Sequence, residues 1–329
     1  MPESGDRPTV TIVMPTYQRP DTLPLAVESA LAQSYGDFEL LVSDNACSPE
    51  LKELLPGYGD PRIRYRDNGG NIGAAANALA AYRDARGTFL ATLHDDDLWQ
   101  PTFLERLLPP LLDDPTLTVA FSDHWLMDGE GRVDEALTDE ATRLWRRERL
   151  PAGVHRPFRR LALVDRAVSI AMAAVMRASA LDLDDWPVGI GPNYDTWLAY
   201  QLCREGGGAW YSPERLTYYR VHGGAMTSRT RYHEALVFQY QHFAADPRLA
   251  ELRPELRREG ARFEVGWGLE LLAQRRRTEA RAHLRSGLRH RPDLRGAVGM
   301  ALACSPLPAA RVVTRVRSRR RRSAALLRY

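Results

Sequence analysis

Over the first 120 residues, short apolar blocks alternate with helical stretches, and each block stops at a polar turn. Val10-Thr11-Ile12-Val13-Met14 is a β-branched run ending at Pro15, a pattern that predicts a strand buried on both faces. Asp21 would cap the next helix, with Pro24 in its first turn and Leu23, Val27, Ala30 and Leu31 along one side. Further strands are expected at Phe38-Glu39-Leu40-Leu41-Val42, at 62–66 and at Phe89-Leu90-Ala91-Thr92-Leu93. A small-residue helix from Ala74 to Arg86 lies between the last two. A helix from about Pro101 to Leu112 and a strand near Leu117–Phe121 continue the alternation. Strand and helix in turn, with short links, predict an α/β fold: a mostly parallel sheet flanked by helices.

Beyond Leu126 the pattern loosens into a polar, arginine-rich stretch reaching about Arg160, followed by small apolar residues from Ala167 to Met176. A helix is expected to begin near Asp195, and from about Arg229 the chain reads as helical throughout. Phe263, Trp267 and Leu271 step by four, as do Ala280, Leu284 and Leu288, with Gln274 to Thr278 as the joint. The resulting hairpin resembles a single tetratricopeptide unit. One such unit cannot bury its own apolar face, so it is expected to dock on the preceding domain or on a second copy in a homodimer.

Composition narrows the class. At 44% hydrophobic and 26% charged, the 329 residues can build a packed core rather than a disordered chain. No uncharged apolar run reaches the roughly 18 residues of a membrane span. Residues 1–8 carry acids and lack an apolar core, which reads as a flexible N-terminus rather than a secretory signal. Cys47, Cys203 and Cys304 are far apart, as expected of reduced thiols in a cytoplasmic protein. Lys52 is the only lysine, so 44 of the 45 basic residues are arginine. Such a bias points to a GC-rich genome, and no nucleic-acid partner is inferred from it. Nine arginines and no acid follow Asp293, so the net +3 of the chain is −6 over residues 1–293. Seven of those arginines fall between Arg311 and Arg322, ahead of Ala324-Ala325-Leu326-Leu327. Each cation near an anionic leaflet contributes about 1 kcal/mol, so this basic tail predicts peripheral membrane contact, with a solvated tail as the alternative.

The polar residues that close the strands are Pro15-Thr16-Tyr17, Ser43-Asp44-Asn45 and His94-Asp95-Asp96-Asp97. In open α/β sheets, ligands bind at these carboxyl ends. Neither GxGxxG nor GxxxxGK[ST] is present, which excludes the dinucleotide and P-loop cradles. Three adjacent carboxylates repel one another unless a hard cation such as Mg2+ or Mn2+ joins them, typically with substrate phosphates. A solvated acidic turn is the alternative for any isolated acidic run.

Taken in order and spacing, Pro15-Thr16-Tyr17-Gln18-Arg19, Ser43-Asp44-Asn45, Asn71-Ile72-Gly73 and Leu93-His94-Asp95-Asp96-Asp97-Leu98-Trp99-Gln100-Pro101 resemble family-2 nucleotide-sugar glycosyltransferases of the GT-A fold. The resemblance covers about residues 8–225. It implies a GT-A domain over 9–228, with a nucleotide-binding half at 9–125 and an acceptor half at 126–228. A helical extension at 229–305 and the basic tail at 306–329 complete the chain. By the same resemblance, Pro15, Thr16, Tyr17 and Arg19 line the nucleotide pocket, Asp44 accepts a hydrogen bond from the base, and Asn71 borders the donor. Asp95 sits near the ribose, while Asp97, with Asp96, ligates the Mn2+ or Mg2+ that bridges the two phosphates. Turn chemistry is the plain alternative for Asp44 and Asn71.

The family places its catalytic base at a helix start 90–110 residues after the acidic motif. Asn193-Tyr194-Asp195-Thr196-Trp197-Leu198 occupies that place, so Asp195 is the candidate base. Tyr194 stands where the family more often has Glu, an N-cap role suits Asp195 as well, and Asp184 and Asp185 are the reserve candidates. In Tyr219-Arg220-Val221-His222-Gly223-Gly224, the resemblance puts His222 near the metal or diphosphate and Arg220 on the diphosphate. His124 and Trp125 would face the acceptor, although burial is the default for such a tryptophan.

The resemblance thus implies an inverting, metal-dependent transfer of a sugar from UDP, dTDP or GDP to a hydroxyl. The acceptor would be a glycan, a lipid-linked sugar or a small molecule, most simply in surface polysaccharide or glycolipid assembly at the inner face of the membrane. A natural-product or peptide glycosyltransferase is the alternative. A non-catalytic nucleotide-sugar binder would need no base, and a nucleotidyltransferase would carry a Gly-rich basic loop in place of Pro15-Thr16-Tyr17.

Overall fold

The computed structural model describes residues 7–221 and 232–305. These fall into two compact units, one made of the described residues up to Pro187 and from Tyr194 to 221, the other of Val188–Asn193 and those beyond 231. In the first unit, β1 (Val10–Thr16), β2 (Phe38–Asp44), β3 (Ile63–Asp67) and β4 (Phe89–Thr92) lie parallel in the order β3-β2-β1-β4. All of β2 is buried, and in β1 only Pro15 is partly open, as central strands covered on both faces require. The helices between them are α1 (Leu23–Leu31), α2 (Pro49–Gly57) and α3 (Ala74–Asp84). Helix α1 starts after Thr22 rather than at an Asp21 cap, and Leu23, Ala26, Val27 and Ala30 form its buried side. The unanticipated α2 has Pro49 in its first turn and only Leu51 and Leu55 inside, too few apolar positions to mark a helical face in sequence.

The chain continues through β5 (Leu98–Trp99), α4 (Phe103–Asp113), β6 (Leu117–Met127), α5 (Glu135–Leu144), β7 (Gly153–His155), α6 (Arg159–Leu163), α7 (Ile170–Ala173), β8 (Ala174–Arg177), α8 (Tyr194–Arg204) and β9 (Gly208–Arg220). The whole sheet reads β3-β2-β1-β4-β8-β6-β9-β5, with β7 on β9. Strand β8 is antiparallel to both β4 and β6, and β5 and β7 are antiparallel to β9, so the second half of the sheet is mixed. This is the α/β GT-A fold with its parallel half first. Strand β6 runs six residues past Phe121 because β9 pairs with it as far as Met127 opposite Arg220. The arginine-rich stretch also holds a helix: Asp134 caps α5 by accepting from the Leu137 amide at 2.9 Å.

In the second unit, α9 (Tyr232–Ala245), α10 (Arg253–Ala273), α11 (Arg277–His290) and α12 (Leu294–Cys304) pack together. Helices α10 and α11 are the expected hairpin, with Phe263, Trp267, Leu271, Ala280 and Leu284 buried. Its apolar side is covered from within the unit by α9 and α12, which makes a second subunit unnecessary for that burial. At Gly287 a Cβ would meet the Ala261 carbonyl oxygen at 2.9 Å, so only glycine lets α11 approach α10 this closely. The buried Glu264 carboxylate clasps the helices by accepting from His283 Nδ1 at 2.5 Å, Gln241 Nε2 at 2.9 Å and Ser286 Oγ at 3.2 Å. Among the described residues, no helix is long and apolar enough to cross a membrane.

Candidate active site

Strand register brings the polar strand ends together. Thr16 lies beside Asp44, and Asp44 beside Asp67. After β4 the chain turns through residues 94–97, closed by the Asp97 amide donating to the His94 carbonyl at 3.2 Å. The Tyr17 amide donates to Asp95 Oδ2 at 3.1 Å, and the Arg19 guanidinium lies 4.0 Å from Asp95 and 3.8 Å from Asp96. The Pro15-Thr16-Tyr17-Gln18-Arg19 segment and the acidic triplet therefore form one site.

Within the triplet, Asp95 and Asp97 are buried, 8% and 2% exposed, and Asp96 is partly open. Its Oδ1 accepts from the Arg220 amide at 2.8 Å, whereas its Oδ2 is buried without a hydrogen-bond partner. His94 Nδ1 stands 3.6 Å from that oxygen. Burial, reinforced by the charge of Asp96, pushes the Asp95 and Asp97 carboxyls up to about 6. Burial disfavours the charged form of His94, but Asp97, Asp96 and Asp95 outweigh it and raise the imidazole to about 9. A concentration of buried negative charge with one unsatisfied carboxylate oxygen suits a divalent cation. Among the described residues, no three His, Cys, Asp or Glu side chains converge as a complete cage. The donor set fits the Mg2+ or Mn2+ pattern of one protein carboxylate completed by substrate phosphates and water, with Asp97 as the protein ligand.

Asp195 enters the same site through its neighbour. Tyr194 and Asp195 open α8, and the Tyr194 hydroxyl lies 3.1 Å from His94 Nε2, so one imidazole spans Asp97 and the residue preceding the candidate base. The Asp195 carboxyl is raised by burial, against the lowering effects of Arg166 and His94. Asp184 and Asp185 are occupied elsewhere: Asp184 pairs with Arg83 at 2.9 Å, and Asp185 pairs with Arg204. His94 and Tyr194 stood within the motifs but were given no role, because nothing in the sequence pairs residues 100 positions apart, and Arg166 carries no signature until the fold brings it near Asp195.

Other expected residues take structural roles. The Arg220 guanidinium donates from Nε to the Asp96 carbonyl at 2.8 Å and from one terminal nitrogen to the carbonyls of Asp128 at 3.3 Å and Gly129 at 3.1 Å. It fastens the acidic turn to the β6–α5 loop. Arg220→Ala would strand those carbonyls, and urea unfolding should show a loss of about 1–3 kcal/mol. Unchanged stability with a raised donor KM would restore the diphosphate role. His124 is 1% exposed, stacked near Trp145 and beside the buried Arg147–Asp123 ion pair of 3.0 Å. Burial and the Arg147 and Arg215 cations hold it well below the usual histidine range, so it is a neutral core residue and not an acceptor contact.

Trp125, by contrast, is half-buried, lies under the Arg215 guanidinium at 4.5 Å, and lines a groove of about 520 Å3 with Tyr211 and Glu148. Asp44 is fully buried and holds its turn, accepting from the amides of Ala46 at 2.8 Å and Ser48 at 2.6 Å and from the Tyr65 hydroxyl at 2.9 Å. Asn71 likewise closes a turn, its Oδ1 accepting from Asn45 Nδ2 and the Gly73 amide, both at 2.9 Å. Both side chains follow the turn alternative here. His222 and the basic tail lie outside the described residues.

A parallel half-sheet with acidic strand ends, continued by a mixed half and flanked by helices, is the α/β GT-A architecture. Residues 11–162 match the sequence profile of Glycosyl transferase family 2. Over 103 residues the chain is 34% identical to the Escherichia coli UDP-Glc:alpha-D-GlcNAc-diphosphoundecaprenol beta-1,3-glucosyltransferase WfgD, covering 31% of this chain and 41% of that protein. It is 35% identical over 101 residues to the succinoglycan biosynthesis protein ExoO of Rhizobium meliloti, covering 31% and 29%. The matched segments thus span less than half of these relatives. The fold is shared with S. aureus TarS 1-349 in complex with UDP-GlcNAc, at a TM-score of 0.66 and 13% identity over 94% of this chain and 92% of that one. A mannosyltransferase from Pyrobaculum calidifontis, in complex with GDP-Man and Mn2+, aligns at a TM-score of 0.53 and 19% identity over 98% and 85%.

Proposed function

We propose that this protein transfers a sugar from a nucleoside-diphosphate donor to a hydroxyl acceptor with inversion at the anomeric carbon, in the assembly of a polysaccharide or glycolipid. The observation that carries the reading is the buried Asp97 Oδ2, without a hydrogen-bond partner in a three-carboxylate turn and connected through His94 and Tyr194 to Asp195. Relatives named for succinoglycan and undecaprenol-linked glucosyl transfer support the acceptor class.

In this scheme Pro15, Thr16, Tyr17 and Arg19 hold the nucleotide, with Asp95 and Asp96 facing the sugar-phosphate side. Asp97 would hold Mn2+ or Mg2+. When bound, that cation neutralises charge on the departing diphosphate. Asp195 accepts the proton of the acceptor hydroxyl as its oxygen attacks the face of the anomeric carbon opposite the diphosphate. The groove at Trp125 is the acceptor surface we favour.

A donor-hydrolysis screen over UDP-, dTDP- and GDP-sugars with Mn2+ tests the reading. Metal-dependent release of a nucleoside diphosphate supports it, whereas tight donor binding with no turnover under any acceptor would leave a binding protein. The base must be ionised to act, and burial raises its pKa. Activity should therefore fall, as pH drops, before the ordinary carboxylate value of about 4 is reached. An acid limb at or below pH 4 would oppose Asp195. For the basic tail, a chain ending at Pro308 should lose liposome association at low salt while keeping donor hydrolysis. Unchanged partitioning would remove the membrane role and leave the chemistry untouched.

A further inference from the structure

We infer that His94 and Tyr194 form a positioning pair that couples occupancy of the donor site to placement of the catalytic base; this rests on the reaction proposed above. The imidazole has two ring nitrogens and both face a functional neighbour. Nδ1 is 3.6 Å from the unpartnered Asp97 Oδ2, and Nε2 is 3.1 Å from the Tyr194 hydroxyl. Tyr194 is 6% exposed and its ring packs at 6.1 Å from Trp186, so the phenol cannot swing away without disturbing that contact. Asp195 is the next residue, and the backbone of α8 transmits any shift of Tyr194 to its carboxylate. The Tyr194 hydroxyl gives the imidazole a neutral hydrogen-bonding partner that adds no repulsion to the three carboxylates.

Filling the donor site moves charge onto the Asp97 side of the imidazole. The ring is hydrogen-bonded to Tyr194 at one edge and faces the Asp97 carboxylate at the other, so its orientation then depends on that occupancy, and the Tyr194 hydroxyl reads it. The pair would keep the base from reaching its working position before the diphosphate is in place, limiting loss of donor to water.

Tyr194→Phe removes only the hydroxyl and keeps the ring packing. We expect acceptor-dependent kcat to fall about 10- to 100-fold, the scale seen when outer partners of metal ligands are removed. The Kd for UDP measured calorimetrically with Mn2+ should stay within about twofold of wild type. The ratio of donor hydrolysis to transfer should rise. Independently of turnover, UDP with Mn2+ should slow hydrogen exchange at the Thr196 and Trp197 amides in the wild type but not in Tyr194→Phe. His94→Gln should lose the same coupling, and the double variant should be no worse than the more damaged single one, since both break one connection. Additive losses, or equal exchange protection in wild type and Tyr194→Phe, would overturn the inference. An inactive wild type would instead reject the proposed reaction, so the two failures are separable.

Discussion

Asp195→Asn is expected to abolish sugar transfer while donor binding survives. The substitution keeps the size of the side chain at the start of α8 and removes only its ability to take a proton. Positioned proton transfer contributes roughly 10²–10⁴-fold, so kcat should fall by at least two orders of magnitude. The UDP affinity measured with Mn2+ should remain close to wild type, because nothing at the strand ends of β1 and β4 has changed. Thermal stability should hold or rise: the carboxyl is raised by burial, so its ionised form weakens the folded state near neutral pH, and the amide avoids that penalty. Residual transfer above about a tenth of wild type would place the base elsewhere. Asp184 and Asp185 are poor substitutes, since both are engaged in ion pairs with arginines.

The second large effect is expected at Asp97. Asp97→Asn leaves an oxygen to accept the Arg220 amide but removes the charge at the position of the orphaned Oδ2. Two unit charges about 4 Å apart at an effective dielectric near 20 interact by about 4 kcal/mol, and each 1.4 kcal/mol is about tenfold in binding. UDP binding in the presence of Mn2+ should weaken by roughly a hundredfold or more, allowing for partial compensation by Asp95 and Asp96. Binding with chelator present should change little. The fold should tolerate the change, because relieving a buried carboxylate among like charges cannot weaken the native state as a cavity would. If the variant binds UDP and Mn2+ like the wild type, the cation is held by other groups and the reading of the acidic turn fails. Calorimetry with and without Mn2+ separates these outcomes directly.

Much of the first half of the fold was legible from periodicity. The runs at Val10, Phe38 and Phe89 are apolar on both faces, which only a covered parallel strand tolerates, and the polar closures of those strands marked the site. The second half was less readable for physical reasons. Strand β6 carries Asp123 and His124 in its middle, and these polar side chains are buried only because Arg147 and Trp145 arrive from a distant segment. Helix α5 shows few apolar positions, since only Thr138 and Ala141 face inward. Pairing direction is not encoded in a strand's own composition, so the antiparallel entry of β8 could not be read in advance.

Individual roles divide in the same way. The amino-acid order by itself determined that carboxylates would gather at neighbouring strand ends, because strand periodicity and the turns that interrupt it are local properties. It also determined that a helix would begin at Tyr194-Asp195 and that arginines would concentrate after Asp293. Only the tertiary structure decided which carboxylate oxygen is buried without a hydrogen bond, that Arg220 donates to backbone carbonyls, and that His124 is sealed in the core. It alone placed His94 between Asp97 and Tyr194, residues separated by 97 positions of chain. Burial and hydrogen-bond satisfaction are set by what the rest of the chain brings within a few ångströms, and sequence spacing carries no record of that.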